Sequence, residues 1–151
     1  MCMRTAFVCA ASVFALILAG CDEKLSELAG PTPNLTPTFS SIYQEILVSV
    51  DPNGRQACIR CHRPGRSGFA QTGQDFSTRD LAYANLVGVR SAQKPGLLRV
   101  APGDPNNSFL IHKLEGRSDI VGVRMPQNAD PLAPGQIQII ARWIQRGAPN
   151  D

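Results

Sequence analysis

An all-α domain is the architecture this sequence predicts, and three features carry that expectation. Four stretches space their apolar residues at helical intervals, and no stretch alternates apolar and polar residues for long enough to form a sheet. The intervening segments are dense in turn-formers, with twelve Pro and thirteen Gly in 151 residues. Four or five short helices joined by long loops is the expected result.

The first helical stretch begins at Phe39, where Phe39, Ile42, Tyr43, Ile46, Leu47 and Val50 form one apolar stripe, and Asp51, Pro52, Asn53 and Gly54 end it. A second is expected to be capped by Ser77, with Asp80 in its first turn, Leu81, Ala82, Asn85 and Leu86 along it and Gly88 stopping it. A third runs from about Asn107 to Glu115, with Gly116 behind it. The last runs from about Pro134 to Arg146, ahead of Gly147. Its face is Ile137, Ile140, Ala141 and Ile144, with Trp143 at the border and Arg142 and Arg146 complementing the negative helix end.

Composition sets the class. With 43% hydrophobic and 18% charged residues the chain fits one compact domain and excludes disordered, collagen-like and coiled-coil classes. A net charge of +3, scattered along the chain, does not describe a nucleic-acid binder. Only 6% of residues are aromatic, so the protein's own core is expected to be thin and to be completed by a cofactor.

Residues 1–20 read as an export signal, because Arg4 precedes the apolar run Ala6 to Leu18 and small residues follow. The run is too short to stay as a membrane span. Its end, Leu18-Ala19-Gly20-Cys21, resembles the bacterial lipobox, which implies a lipid on Cys21 and attachment to a bacterial membrane, with the domain in the periplasm or on the cell surface. An ordinary cleaved signal with Cys21 as a thiol is the plainer alternative. Residues 21–37 then read as a polar tether interrupted by Pro31, Pro33 and Pro37, and residues 38–151 as the domain.

Beyond the signal the chain carries Cys21, Cys58 and Cys61, His62 and His112, and Met125 as its single Met. Cys58-Ile59-Arg60-Cys61-His62 is the CxxCH spacing of covalent c-type haem attachment. On one helical turn the two sulfurs and the imidazole share a face, so the thiols can add to two vinyl groups while the imidazole reaches the iron. Three other uses compete: a zinc site recruiting His112, a thioredoxin-like redox pair, and a simple disulfide. The zinc site strains adjacent ligands at Cys61 and His62, and the redox pair lacks a βαβ context. For the second axial position Met125 is the only thioether, set before Pro126 in a loop stiffened by Pro131 and Pro134. Met125 as packing material, His112 as ligand and an open five-coordinate iron are the alternatives. The pattern Leu110, Ile111, Leu114 around His112 favours a surface or capping histidine there.

From about Phe39 to Ala148 the chain resembles a small bacterial class I-like cytochrome c domain. The residues that carry the likeness are the helix before Cys58, the CxxCH, Arg99-Val-Ala-Pro-Gly-Asp-Pro-Asn-Asn-Ser108, Met125-Pro126 and Trp143-Ile-Gln-Arg-Gly-Ala148. The resemblance implies one covalent haem c, His62 as proximal and Met125 as distal iron ligand, and first and last helices packed together beside the haem. It departs from the family in longer loops, notably Arg63 to Phe76, and in the span from His62 to Met125.

Iron with both axial positions filled favours one-electron exchange over oxygen or peroxide chemistry. The expected function is therefore electron carriage between periplasmic or membrane redox partners, and not enzyme catalysis. The alternatives are a haem-based sensor or peroxidase-like protein with a displaceable distal ligand, and a structural lipoprotein whose CxxCH stays empty. Arg55, Arg60, Arg63 and Arg66 form the one local cluster of charge. It suits haem propionates or an acidic redox partner, or it is an ordinary solvated loop.

Overall fold

The computed structural model describes residues 35–50 and 56–151. The export signal, Cys21, most of the tether, the Asp51 to Gly54 turn and Arg55 lie outside the described residues. The described residues are helical, with isolated bridges and no strand. The helices are α1 (Phe39–Ile42), continued by a π-helical turn (Tyr43–Leu47), a 3-10 turn at Cys58–Arg60, α2 (Ser67–Thr72), α3 (Arg79–Leu86), α4 (Phe109–Glu115) and α5 (Pro134–Gln145).

Thr38 opens α1 by accepting the Ser41 N–H on its side chain. The helix then widens, and the Val48 N–H reaches the Tyr43 carbonyl at 3.1 Å, one residue beyond α spacing. Phe39, Ile42, Tyr43, Ile46 and Leu47 are buried as the stripe predicts. Val50 is not: the helix stops at Leu47, so Val50 is past its end and exposed.

Two expected boundaries shift. The cap of α3 is Thr78, one residue beyond Ser77, and its hydroxyl accepts the Leu81 N–H at 3.2 Å. Ser77 instead donates its N–H to Asp75 at 2.9 Å. The loop expected from Arg63 to Phe76 contains α2, which Gly73 ends in the left-handed conformation at φ 68°.

Helix α5 opens on Pro134, with the Gln136 side-chain oxygen accepting the Ala133 N–H at 2.9 Å. It closes with paired bonds that satisfy its final carbonyls, Gly147 N–H to Ile144 and Ala148 N–H to Trp143, at 2.9 and 3.0 Å. Gly147 takes φ 94° there. Trp143, expected at the border of the apolar face, is fully buried, and its indole N–H donates to the Pro149 carbonyl at 2.9 Å.

The first and last helices meet through Phe39 and Trp143, whose rings stack at 5.3 Å with 29° between planes and are both 0% exposed. Tyr83 of α3 meets Phe39 edge-on at 5.2 Å. A polar clasp lies over this cluster: Asp151 accepts the Phe39 N–H at 2.7 Å, and its backbone carbonyl accepts from Ser40 and Arg79. Between α3 and α4 the chain crosses itself in isolated bridges, Val87 with Val100, Arg90 with Leu98 and Leu98 with Ser108. The turn after it docks on α5, where the Gly103 N–H caps the Ile144 carbonyl at 2.8 Å.

This cluster sets a stability expectation. Trp143→Ala removes the largest buried ring of the core and should destabilise the domain by about 3–5 kcal/mol in denaturant unfolding.

Candidate functional site

The CxxCH segment folds as a tight turn. Cys61 and His62 both donate their N–H groups to the Cys58 carbonyl, at 3.1 and 3.0 Å. Cys58 is half-buried, with its thiol facing the Ile46 carbonyl at 3.8 Å. Cys61 is exposed, and no disulfide joins the two. The shared face expected of the three side chains is realised for Cys58 and His62, which border one cleft, while Cys61 lies outside its lining.

Helix α2 presses on this turn. The Phe69 N–H bonds the Cys61 carbonyl at 3.1 Å, and the Phe76 N–H bonds the His62 carbonyl at 2.9 Å. The Phe76 ring lies against the imidazole at 5.2 Å. Gly68 allows the approach: a Cβ there would stand 2.8 Å from the Cys61 carbonyl oxygen and 3.1 Å from Cε1 of His62. The His62 Nδ1 is buried with no hydrogen-bond partner. Burial first, then the charges of Arg99 and Lys113, push this histidine down to about 4. Its imidazole is therefore neutral at physiological pH, the form that binds metals.

Met125 comes to the same cleft from the far side of the sequence. Its N–H donates to the Lys113 carbonyl at 2.8 Å, its side chain is half-buried against the core, and its peptide bond to Pro126 is cis. The cleft is partly open to solvent and has walls formed largely by apolar side chains, Phe39, Ile46, Leu86 and Trp143 among them.

Two cations also line it. Arg99 is 8% exposed and Lys113 7% exposed, and no carboxylate pairs with either among the described residues. Arg99 donates to the carbonyls of Asn85 and Thr72, at 2.7 and 2.5 Å, so it satisfies groups near the ends of α3 and α2 while two bonds fix its own backbone. Lys113 donates to the carbonyls of Val121 and Val123 at 2.9 and 2.6 Å. Burial lowers the pKa of both. Sequence reading placed neither residue at the site, although Arg99 opens the Arg99 to Ser108 segment that carries the resemblance. The available signal was a charge inside each apolar run, Leu97-Leu98-Arg99-Val100 and Leu110-Ile111-His112-Lys113-Leu114.

His112 is not the surface or capping residue expected. It is buried, with Nε2 at 2.7 Å from the Asn106 carbonyl and Nδ1 at 3.1 Å from the Asp119 carboxylate, so both ring nitrogens are engaged away from the cleft. Among the described residues no three His, Cys, Asp or Glu side chains gather as a metal-holding group. Arg60, Arg63 and Arg66 are exposed and outside the cleft lining. None of them forms an ion pair within the described residues.

The residues fit a haem group on four counts: a half-buried thiol, an orphaned neutral imidazole, a thioether on the same cleft, and apolar walls with buried cations suited to a large apolar molecule bearing carboxylates. No helix among the described residues is long and apolar enough to cross a membrane. No family model, curated protein or solved structure matches the chain.

Gly68 supplies a test of this packing. Gly68→Ala drives a methyl group into the Cys61 backbone, so it should cost about 1–3 kcal/mol and lower the yield of folded protein, measured by denaturant unfolding beside the parent.

Proposed function

We propose that this chain is a membrane-anchored monohaem c-type cytochrome that carries single electrons between periplasmic or membrane redox partners, built on a class I-like cytochrome c fold. The observation that carries the reading is that Cys58 and His62 border one apolar cleft with Met125, which is far from them in sequence, and that the His62 Nδ1 is buried and unpartnered. Cys58 and Cys61 would hold haem c by adding across its two vinyl groups. Each addition would break an S–H bond and the vinyl C=C π bond and form one C–S and one C–H bond, so no oxidant would be consumed. His62 and Met125 would be the side chains that hold the iron.

When bound, the haem supplies one-electron exchange between ferric and ferrous iron. The chain's own residues supply the rest. Phe39, Ile46, Leu86 and Trp143 make the cleft wall apolar and lower its dielectric. Arg99, buried and with guanidinium donors to spare beyond its two carbonyl bonds, suits a carboxylate at the cleft wall. A thioether and an imidazole together as iron ligands would favour the ferrous state, which suits the oxidising end of an electron-transfer chain. No arrangement of catalytic acid, base and nucleophile accompanies the site among the described residues. Cys21, outside the described residues, would carry the lipid that keeps the domain at a bacterial membrane.

The exposed positions of Arg60, Arg63 and Arg66, beside Cys61 and outside the cleft, suit steering of an acidic redox partner better than contact with haem carboxylates.

Expression in a host able to ligate haem tests the reading. The mature protein should be coloured and keep its haem on a denaturing gel, and Cys58→Ala with Cys61→Ala should abolish the stain. The ferrous form should not bind carbon monoxide, and binding would favour the sensor or peroxidase-like alternative. Colourless protein with both sulfurs unmodified would overturn the proposal. Separately, Arg63→Gln with Arg66→Gln should slow electron exchange with the ferricyanide anion severalfold at low salt and leave it unchanged at high salt. Equal rates at every ionic strength would remove the steering role.

A further inference from the structure

Lys113 is an unusual residue to bury. An ammonium in an apolar wall loses its hydration, and nothing anionic among the described residues restores it. What it meets instead is the loop that leads to Met125. Its Nζ donates to the Val121 carbonyl at 2.9 Å and to the Val123 carbonyl at 2.6 Å, while its own carbonyl accepts the Met125 N–H at 2.8 Å. One residue of α4 thus grips the segment 121–125 at three points, with side chain and main chain together.

Apart from the Arg124 side chain lying on Gly116 and Met125 itself against the core, little packing holds that segment. It has no regular secondary structure, and Val121 and Val123 are 50% and 51% exposed, so burial of these valines does not fasten it to the domain. The next anchor lies upstream, where Asp119 pairs with Lys94 and His112. Between Asp119 and Met125 the Lys113 ammonium is the main polar tie. Hydrogen bonds from a charged donor are stronger and shorter than neutral ones, and two of them from one ammonium suit a loop that must present one atom at a fixed place.

We propose that Lys113 is a positioning residue for Met125, a strut that holds the thioether-bearing loop over the cleft so that the sulfur stays on the haem iron. The inference rests on the reading of Met125 as distal ligand. It assigns Lys113 no contact with the iron; the residue acts through the backbone of the loop.

Haem-loaded Lys113→Met and Lys113→Gln, both lacking the ammonium, are compared with Lys113→Arg, which retains the charge and reach, and with Met125→Leu. Each is read by haem stain, by the long-wavelength sulfur-to-iron charge-transfer band of the ferric form, and by imidazole binding to the ferric iron. The Met and Gln variants should keep haem at the parent level, lose most of the band and bind imidazole about tenfold more tightly, equivalent to ~1.4 kcal/mol of lost ligation. Lys113→Arg should restore both properties. Neutralising a charge near the cleft shifts the reduction potential by itself but does not remove the band, so the band separates positioning from electrostatics. A full band and parent imidazole affinity in the Met and Gln variants, with the band lost in Met125→Leu, would overturn the strut alone. A band that survives in Met125→Leu would overturn the ligand reading and the strut with it. Two ammonium-free variants are used so that one that fails to fold does not decide the matter.

Discussion

The stacking of Phe39 on Trp143 joins the beginning of the described domain to its end, and the cleft takes its shape from that contact. Both rings are excluded from solvent, and both also form part of the cleft wall. The surface that holds α1 to α5 is therefore the surface that the proposed cofactor would meet. With aromatics at only 6% of the chain, Phe39, Tyr43, Tyr83 and Trp143 are concentrated in this one cluster. Stability and site geometry become a single packing problem, because a change that loosens the ring stack also reshapes the wall.

Short helices leave many terminal carbonyls for little burial, and much of the polar structure answers that cost. The Gly103 N–H caps α5 from a distant turn, and Tyr83 and the Trp143 indole close the C-terminal segment by donating to the carbonyls of Ala148 and Pro149. Arg99 does the same for α2 and α3 while standing at the cleft. A side chain used to satisfy helix ends thereby becomes a fixed positive charge beside the site. Its geometry is rigid because its own backbone N–H and carbonyl are tied to Val89 and Leu110.

Helix identity was legible in the sequence because it rests on local periodicity, but the buried faces follow the apolar stripes only in part: α4 also buries His112 and Lys113, and α5 turns its buried face to Gln136, Ile140, Trp143 and Ile144, leaving Ile137 and Ala141 half-buried. The errors have local physical reasons. Ser77 and Thr78 are both competent caps, and only the fold decides which hydroxyl reaches the Leu81 N–H. Helix α2 was invisible because Ser67 to Thr72 offers one large apolar side chain, Phe69, and no stripe. Within the site, Cys58, His62 and Met125 could be singled out because their chemistry is rare in this chain. The need for Gly at 68, the burial of His112 and the two cations of the cleft are tertiary facts: each depends on residues that no spacing rule connects.

The two proposed axial ligands are held by different kinds of force. His62 is wedged between α2 and Phe76, with a glycine where any side chain would collide with the turn that carries it. Close packing of this sort resists displacement in every direction, because movement costs contact with many atoms at once. Met125 is held through the backbone of an exposed loop by a few directional hydrogen bonds, and such ties open singly and locally. In the proposed reading the imidazole side is stiff and the thioether side is the softer one. The balance between a sealed electron carrier and a haem protein that admits an outside ligand is then set in the loop from Asp119 to Met125, and not in the CxxCH turn.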